Sequence, residues 1–212
     1  MRPISTALAA LASLAAVAHA ADERAYDVAG FTKVSASSGV DVVIAVGGGF
    51  AASATVRKGD IDKVVVEVKG DTLHVSIDRG RRWNMGGGYY DVTVDVSMPA
   101  LVGVDVSSGS DLTATGVDAE RFSADVRSGS DAELSGTCGR LVADVSSGAD
   151  LEAKDLKCRV VEADASSGAD AEVYASEKVV ADASSGADID VWGGPREIES
   201  DESSGGDVTV RG

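Results

Sequence analysis

The sequence predicts an all-β fold of stacked repeats, a β-solenoid or β-helix-like stack with about 19 residues per rung in its C-terminal half. Three observations predict it. First, Asp105–Asp111, Asp125–Asp131, Asp144–Asp150, Asp164–Asp170, Asp182–Asp188 and Asp201–Asp207 are one phrase, Asp-x-Ser-Ser-Gly-x-Asp with Arg127 replacing a Ser once. Its glycines, Gly109, Gly129, Gly148, Gly168, Gly186 and Gly205, lie 20, 19, 20, 18 and 19 residues apart. Second, side chains around each glycine alternate with period two: Leu141, Ala143, Val145 and Ser147 against Val142, Asp144 and Ser146. That is the pattern of a half-buried strand. Third, the repeat interior reads Ala, Val, Leu, Ile and Ser with very few aromatics, which suits a thin coil better than a sandwich core.

In chain order, residues 1–20 read as a cleaved export signal: basic Arg2, an apolar run from Ile4 to Val17, and Ala18-His19-Ala20 as a small-x-small cleavage site. The run is short for a membrane span, and no later stretch is long enough to be one. A retained anchor is the alternative for the same residues. The expected mature chain starts at Ala21 and loses only Arg2 among its charged residues. That leaves 35 acids against 18 bases, a formal charge of −17.

Residues 21–100 are expected to form an N-terminal β region that caps the stack. Within it, Ser37-Ser-Gly-Val-Asp41 is a fainter copy of the phrase. Alternating runs at Val64–Val68 and Leu73–Ile77 flank Gly70-Asp71, a hairpin signal. The stretch Arg79–Gly88, with three arginines and Trp83, reads as a solvated loop, with a contact site as the alternative. Residues 101–212 carry the repeats, continuous with what precedes them. Beyond each glycine the alternation resumes, as in Ala149, Leu151 and Ala153, so strands fit both flanks. An antiparallel meander with Ser/Gly turns would use the same turn residues, and turn chemistry alone leaves it open.

Cys138 and Cys158 fall nine and ten residues after successive glycines, at nearly the same phase of adjacent rungs. Strands about 4.8 Å apart are within disulfide reach, so one disulfide is expected, with two buried free thiols as the alternative. Two Cys and one mature-chain His, His74, are too few for a structural zinc site.

The acids are placed unevenly. Residues 101–212 hold 24 acids and 9 bases, against 11 and 9 in residues 22–100. That field repels nucleic acid and anionic lipid. Two acidic columns follow from the period: Asp105, Asp125, Asp144, Asp164, Asp182 and Asp201 share one phase, and Asp111, Asp131, Asp150, Asp170, Asp188 and Asp207 another. No cofactor is expected. Ca²⁺ is the ion such columns could take up, but the nonapeptide loops of calcium-binding β-rolls are missing, so no metal ligand is assigned.

Enzyme motifs are missing as well: no Gly-x-Ser-x-Gly elbow, no His-Glu-x-x-His, no phosphate-binding Gly-Lys-Ser loop. His74, between Leu73 and Val75, reads as a surface strand residue, and no catalytic or cofactor-binding residue is assigned. Carboxylates repeated on every rung argue for a structural period over one tuned acid and base pair.

At these residues the chain resembles the bacterial DUF2807 group, described as putative auto-transporter adhesin, head GIN domain. The matching features are Phe31-Thr-Lys-Val34 followed by Ser38-Gly-Val-Asp-Val-Val-Ile44, the hairpin Gly70-Asp-Thr-Leu73, the strand ending Met98-Pro-Ala-Leu101, and the successive Ser-Gly-Ser-Asp or Ser-Gly-Ala-Asp corners. The resemblance spans residues 26–210. It implies an exported β-solenoid of the bacterial envelope, in the periplasm or outside the cell, and carries no catalytic pattern. The family's Asn at the end of the corner is often Asp here.

Three function classes remain: an envelope binding or adhesion module, a purely structural envelope protein, and a carboxylate-based polysaccharide enzyme. An envelope protein or a polysaccharide is the expected partner. Acids grouped beside exposed aromatics would favour the enzyme, and smooth columns a scaffold.

Overall fold

The computed structural model describes residues 21–79 and 90–211. The expected export signal lies outside the described residues, as does the Arg-rich loop from Gly80 onward. The strands are β1 (Asp22–Tyr26), β2 (Lys33–Ala36), β3 (Asp41–Val46), β4 (Ala51–Lys58), β5 (Val64–Lys69), β6 (Thr72–Ile77), β7 (Asp91–Met98), β8 (Gly103–Ser107), β9 (Asp111–Arg127), β10 (Asp131–Ser146), β11 (Asp150–Ser166), β12 (Asp170–Ser184), β13 (Asp188–Trp192), β14 (Glu197–Ser203) and β15 (Asp207–Val210).

The long strands β9 to β12 pair side by side in parallel, and β13, β14 and β15 continue the stack in the same sense. Parallel pairing between consecutive turns of chain makes a solenoid and removes the meander. Each rung is bent rather than straight. In β11 the buried residues are Leu151, Ala153, Leu156, Cys158, Val161, Ala163 and Ala165. The inward step is three residues, not two, after Ala153 and again after Cys158. These slips divide the rung into three short runs, closed by the Ser-Ser-Gly corner. Stacked in register, the inward residues form continuous columns, such as Phe122, Leu141, Val161 and Val179, or Ala124, Ala143, Ala163 and Ala181. Each rung buries little by itself, so cohesion comes from its neighbours.

The corner differs in one respect from the sequence reading. Gly148 has φ 65°, as a sharp bend requires, but Ser147 before it is also left-handed, at φ 61°. The same holds at Ser38, Ser108, Ser128, Ser167, Ser185 and Ser204. Two successive left-handed residues put Ser147 in solvent and turn Ala149 inward, so Ser147 leaves the inward row expected of it. A non-glycine residue in this region costs roughly 1–2 kcal/mol. Corner-to-corner bonds offset that: Ser147 N donates to Ser166 O and Gly148 N to Ser167 O, each at 3.2 Å.

The N-terminal region joins the same stack. β2 and β3, around the Ser38-Gly39 corner, pair in parallel with β8 and β9. β7 on β3 and β6 on β2 continue the parallel pairing, and only beyond them does it turn antiparallel: β7 carries β4 and then β1, and β6 carries β5 through the Gly70-Asp71 turn. Arg79 donates to Ser38 O at 2.7 Å, tying this region to the corner. At the other end, Ser200 and Glu202 stand in the columns of Ala181 and Ala183, and Glu202 accepts from Val208 N at 3.1 Å. Polar residues in core columns end the stack and blunt its open edge.

Cys138 and Cys158 are register partners in β10 and β11 and form a disulfide, with Cα atoms 4.4 Å apart. Both are buried. A closed loop of this length contributes roughly 3 kcal/mol.

Candidate functional site

Because each rung repeats the last in register, the aspartates align as two ladders. Asp105, Asp125, Asp144, Asp164, Asp182 and Asp201 are consecutive Cα partners on the third run, just before the corner. Asp111, Asp131, Asp150, Asp170, Asp188 and Asp207 are consecutive partners on the first run, just after it. Asp41 extends the second ladder by one rung, pairing with Asp111. Neighbouring strands are about 4.8 Å apart, so the carboxylates sit at close to that interval.

Such ladders disfavour their own ionisation. Partial burial, then repulsion from the neighbouring carboxylates, raises Asp111, Asp150 and Asp164 above the ordinary aspartate range. Asp41 is raised in the same way, against a lowering influence from Arg57. Asp125 is raised chiefly by burial, although Arg127 opposes the shift. Arg127 takes the place of the usual Ser and bridges Asp105 and Asp125 at 2.9 Å each. One guanidinium thus spans two rungs. Among the described residues, no group of three or more His, Cys, Asp or Glu converges as a metal-ligand set.

The third-run ladder borders a groove of about 390 Å³. Its origin lies in the next outward column, which runs Thr72, Lys33, Gly103, Ser123, Val142. At Gly103 and Ser123 that column is nearly without side chains, and a Cβ added to Gly103 would stand 2.4 Å from Ser123 Oγ. Asp105, Asp125 and Asp144 form one wall, Val142 is 44% exposed beside it, and His74 with Ser35 closes the capped end. A second depression, of about 490 Å³, shares Ser123 and Val142 and extends along β9 to Arg121 and Glu120. Smaller hollows of about 220 and 190 Å³ lie between the aspartates and glutamates of the first run.

His74 is an outward strand residue, paired with Ser35 on one side and Glu67 on the other. It heads the column that continues into Asp105, a placement the local sequence does not signal. Acids stand beside aromatics at the far end of the stack: Tyr174 pairs with Trp192, next to Glu172 and Asp190. Lys157 lies 4.3 Å over the Tyr174 ring and Arg211 5.7 Å over the Trp192 ring. Lys154 and Arg211 hold the two carboxylates at 2.5 and 2.8 Å. These rings and acids are engaged within the chain.

The family model for DUF2807, "Putative auto-transporter adhesin, head GIN domain", matches residues 30–195. A putative adhesin from Bacteroides fragilis has a similar structure, with a TM-score of 0.72 at 18% identity, covering 92% of this chain and 98% of that one. Putative adhesins from Parabacteroides distasonis and Parabacteroides merdae align with TM-scores of 0.53 and 0.52. Their identities are 14% and 10%, over 90% and 92% of this chain and 97% of each of theirs. At such identities the likeness is one of fold. No curated protein matches the chain.

Proposed function

The chain belongs to the DUF2807 family, described as "Putative auto-transporter adhesin, head GIN domain", and from that premise we propose that it is an exported cell-envelope module that binds or adheres without catalysing a reaction. The observation that carries this reading is the in-register repetition of the two ladders. A ligand laid along the stack meets the same groups on every rung, and weak contacts at a fixed interval add up when one molecule spans several of them. Hydrolysis by carboxylates instead calls for one pair whose environments push their pKa values apart. Here the raised aspartates occur on both ladders and for the same reason. The buried disulfide suits an oxidising compartment, the periplasm or the cell exterior, to which the expected signal at residues 1–20 would direct it. A purely structural envelope role is the second reading, supported by the continuous core and its disulfide staple.

The test is incubation of the purified chain with immobilised envelope polysaccharides and envelope proteins, scored for retention and, by mass spectrometry, for released product. Retention without product is the expected result. Product release abolished by a single Asp→Asn substitution would establish the enzyme, and failure to be retained by any ligand would favour the structural role.

A further inference from the structure

Resting on the binding reading, we infer that the groove at Gly103 and Ser123 receives a lysine or arginine side chain from an extended basic segment of a partner protein. Shape supports this first. The two depressions meet at Ser123 and Val142 and together follow β9 from Asp125 back to Glu120. That is a path on the order of 16 Å at strand spacing, enough for a short extended segment. Exposed Val142, one of the groove's lining residues, offers an apolar contact for the methylene stem of a long basic side chain.

Charge decides the polarity. Asp105, Asp125 and Asp144 line one wall, and Arg127 already bridges the first two, showing within the chain how a cationic head fits between rungs. Asp144, on the next rung, has no ion pair among the described residues and faces the open groove. Lys33, on the opposite rim, is held by Asp71 at 3.1 Å. At the far end Arg121 faces solvent near Glu120, which is held by Arg159 at 3.3 Å. A basic head is therefore directed to the Asp144 end. A polyanion meets the repulsion of a chain of net charge −16, and among the described residues lining the two depressions the one aromatic, Phe122, is buried and offers a sugar no exposed ring.

The experiment measures binding of a fluorescent hexapeptide of alternating valine and lysine, with its valine–glutamate counterpart as control, at physiological salt. Ser123→Tyr fills the groove without changing charge, Asp144→Asn removes the unpaired carboxylate, and Asp182→Asn removes the same charge two rungs away. Ser123→Tyr and Asp144→Asn should each weaken the lysine peptide about tenfold, and Asp182→Asn by less than about twofold. Carbodiimide coupling of the peptide to the unmodified chain reads the same contact without a variant, and cross-links should concentrate on Asp144. Equal losses for Asp144→Asn and Asp182→Asn with none for Ser123→Tyr would overturn the inference, as would cross-links spread evenly along the ladder. Lack of peptide binding by a chain still retained on envelope ligands would defeat this inference while leaving the binding function intact.

Discussion

The hydroxyl oxygen of Ser110 accepts the amide proton of Gly39 at 3.1 Å, and that of Val40 at 3.2 Å. Ser110 is fully buried at the inward corner position, where the next corner carries Ser130 and those after it Ala149, Ala169 and Ala187. At Gly109, Gly129, Gly148 and Gly168 the glycine amide instead reaches a backbone carbonyl of the next corner, as Gly129 N reaches Ser147 O. The first corner meets its neighbour across an insertion of four strands, and there the serine hydroxyl supplies the acceptor. The hydroxyl at Ser110 thus has a local cause, one that Ser130 at the next corner does not share, since its hydroxyl donates to Arg127 O instead.

Ser110→Ala should therefore cost about 1–3 kcal/mol, because two amides lose their acceptor in a buried place. Ser130→Ala should cost about 1 kcal/mol or less, since it removes only the bond that Ser130 donates to Arg127 O at 2.8 Å. Urea unfolding of both variants checks the ranking. Equal losses would mean that the Ser110 bonds do not hold the first corner.

Stability should rise on mild acidification. Asp41, Asp111, Asp125, Asp150 and Asp164 all have folded-state pKa values above the ordinary aspartate value. The folded chain thus binds more protons than the unfolded one in the window just above about pH 3.9, and stability falls as pH rises through it. The destabilisation is fully present at neutral pH and is relieved as pH drops through the raised values toward the unfolded one. Thermal unfolding should show a higher Tm near the top of the aspartate range than at pH 7. At pH 7, added salt or Ca²⁺ should raise Tm modestly by screening the ladders. A Tm that falls steadily from pH 7 downward would contradict the picture of self-repelling columns.

Gly148→Val should be strongly destabilising, and for a reason other than crowding. The nearest atom to an added Cβ, Gly168 O, is 3.9 Å away, so the cost comes from φ 65° rather than a clash. Gly148→Asn, which tolerates that region, should cost less, and Glu152→Gln on the exposed face should be near neutral. Gly205→Val, in the last corner with fewer neighbours, should cost less than Gly148→Val. Ser147→Gly should be neutral or slightly stabilising, since Ser147 is itself left-handed. Equilibrium unfolding of the five variants decides, and equal stability of Gly148→Val and Glu152→Gln would remove the constrained corner.

Much of this architecture was legible in the amino-acid sequence because a solenoid repeats its chemistry with its geometry. The period-two alternation marked the inward columns, the phrase spacing placed both aspartate ladders, and the shared phase of Cys138 and Cys158 marked the disulfide. What escaped depends on contacts between distant segments. That Gly103 stacks between Lys33 and Ser123, and so opens a groove, follows from a register that joins residues far apart in the chain. His74 reaches the head of the ladder by the same route. The left-handed Ser147 was concealed for a different reason: serine is common in turns, and its repetition before every glycine was the only local sign of a two-residue corner.

Of the two ladders the third-run one borders the larger groove, where binding is inferred, and attachment reads out directly whether the chain binds through it. Beads coated with the chain would be counted on bacterial envelope surfaces for three proteins. These are the natural sequence, the variant Asp144→Asn, Asp164→Asn, Asp182→Asn, and the variant Asp150→Asn, Asp170→Asn, Asp188→Asn, which carries the same charge change on the first run. With all three equally folded by thermal unfolding, the first variant should lose most attachment and the second keep it. Undiminished attachment by the first variant would contradict binding through the third-run ladder.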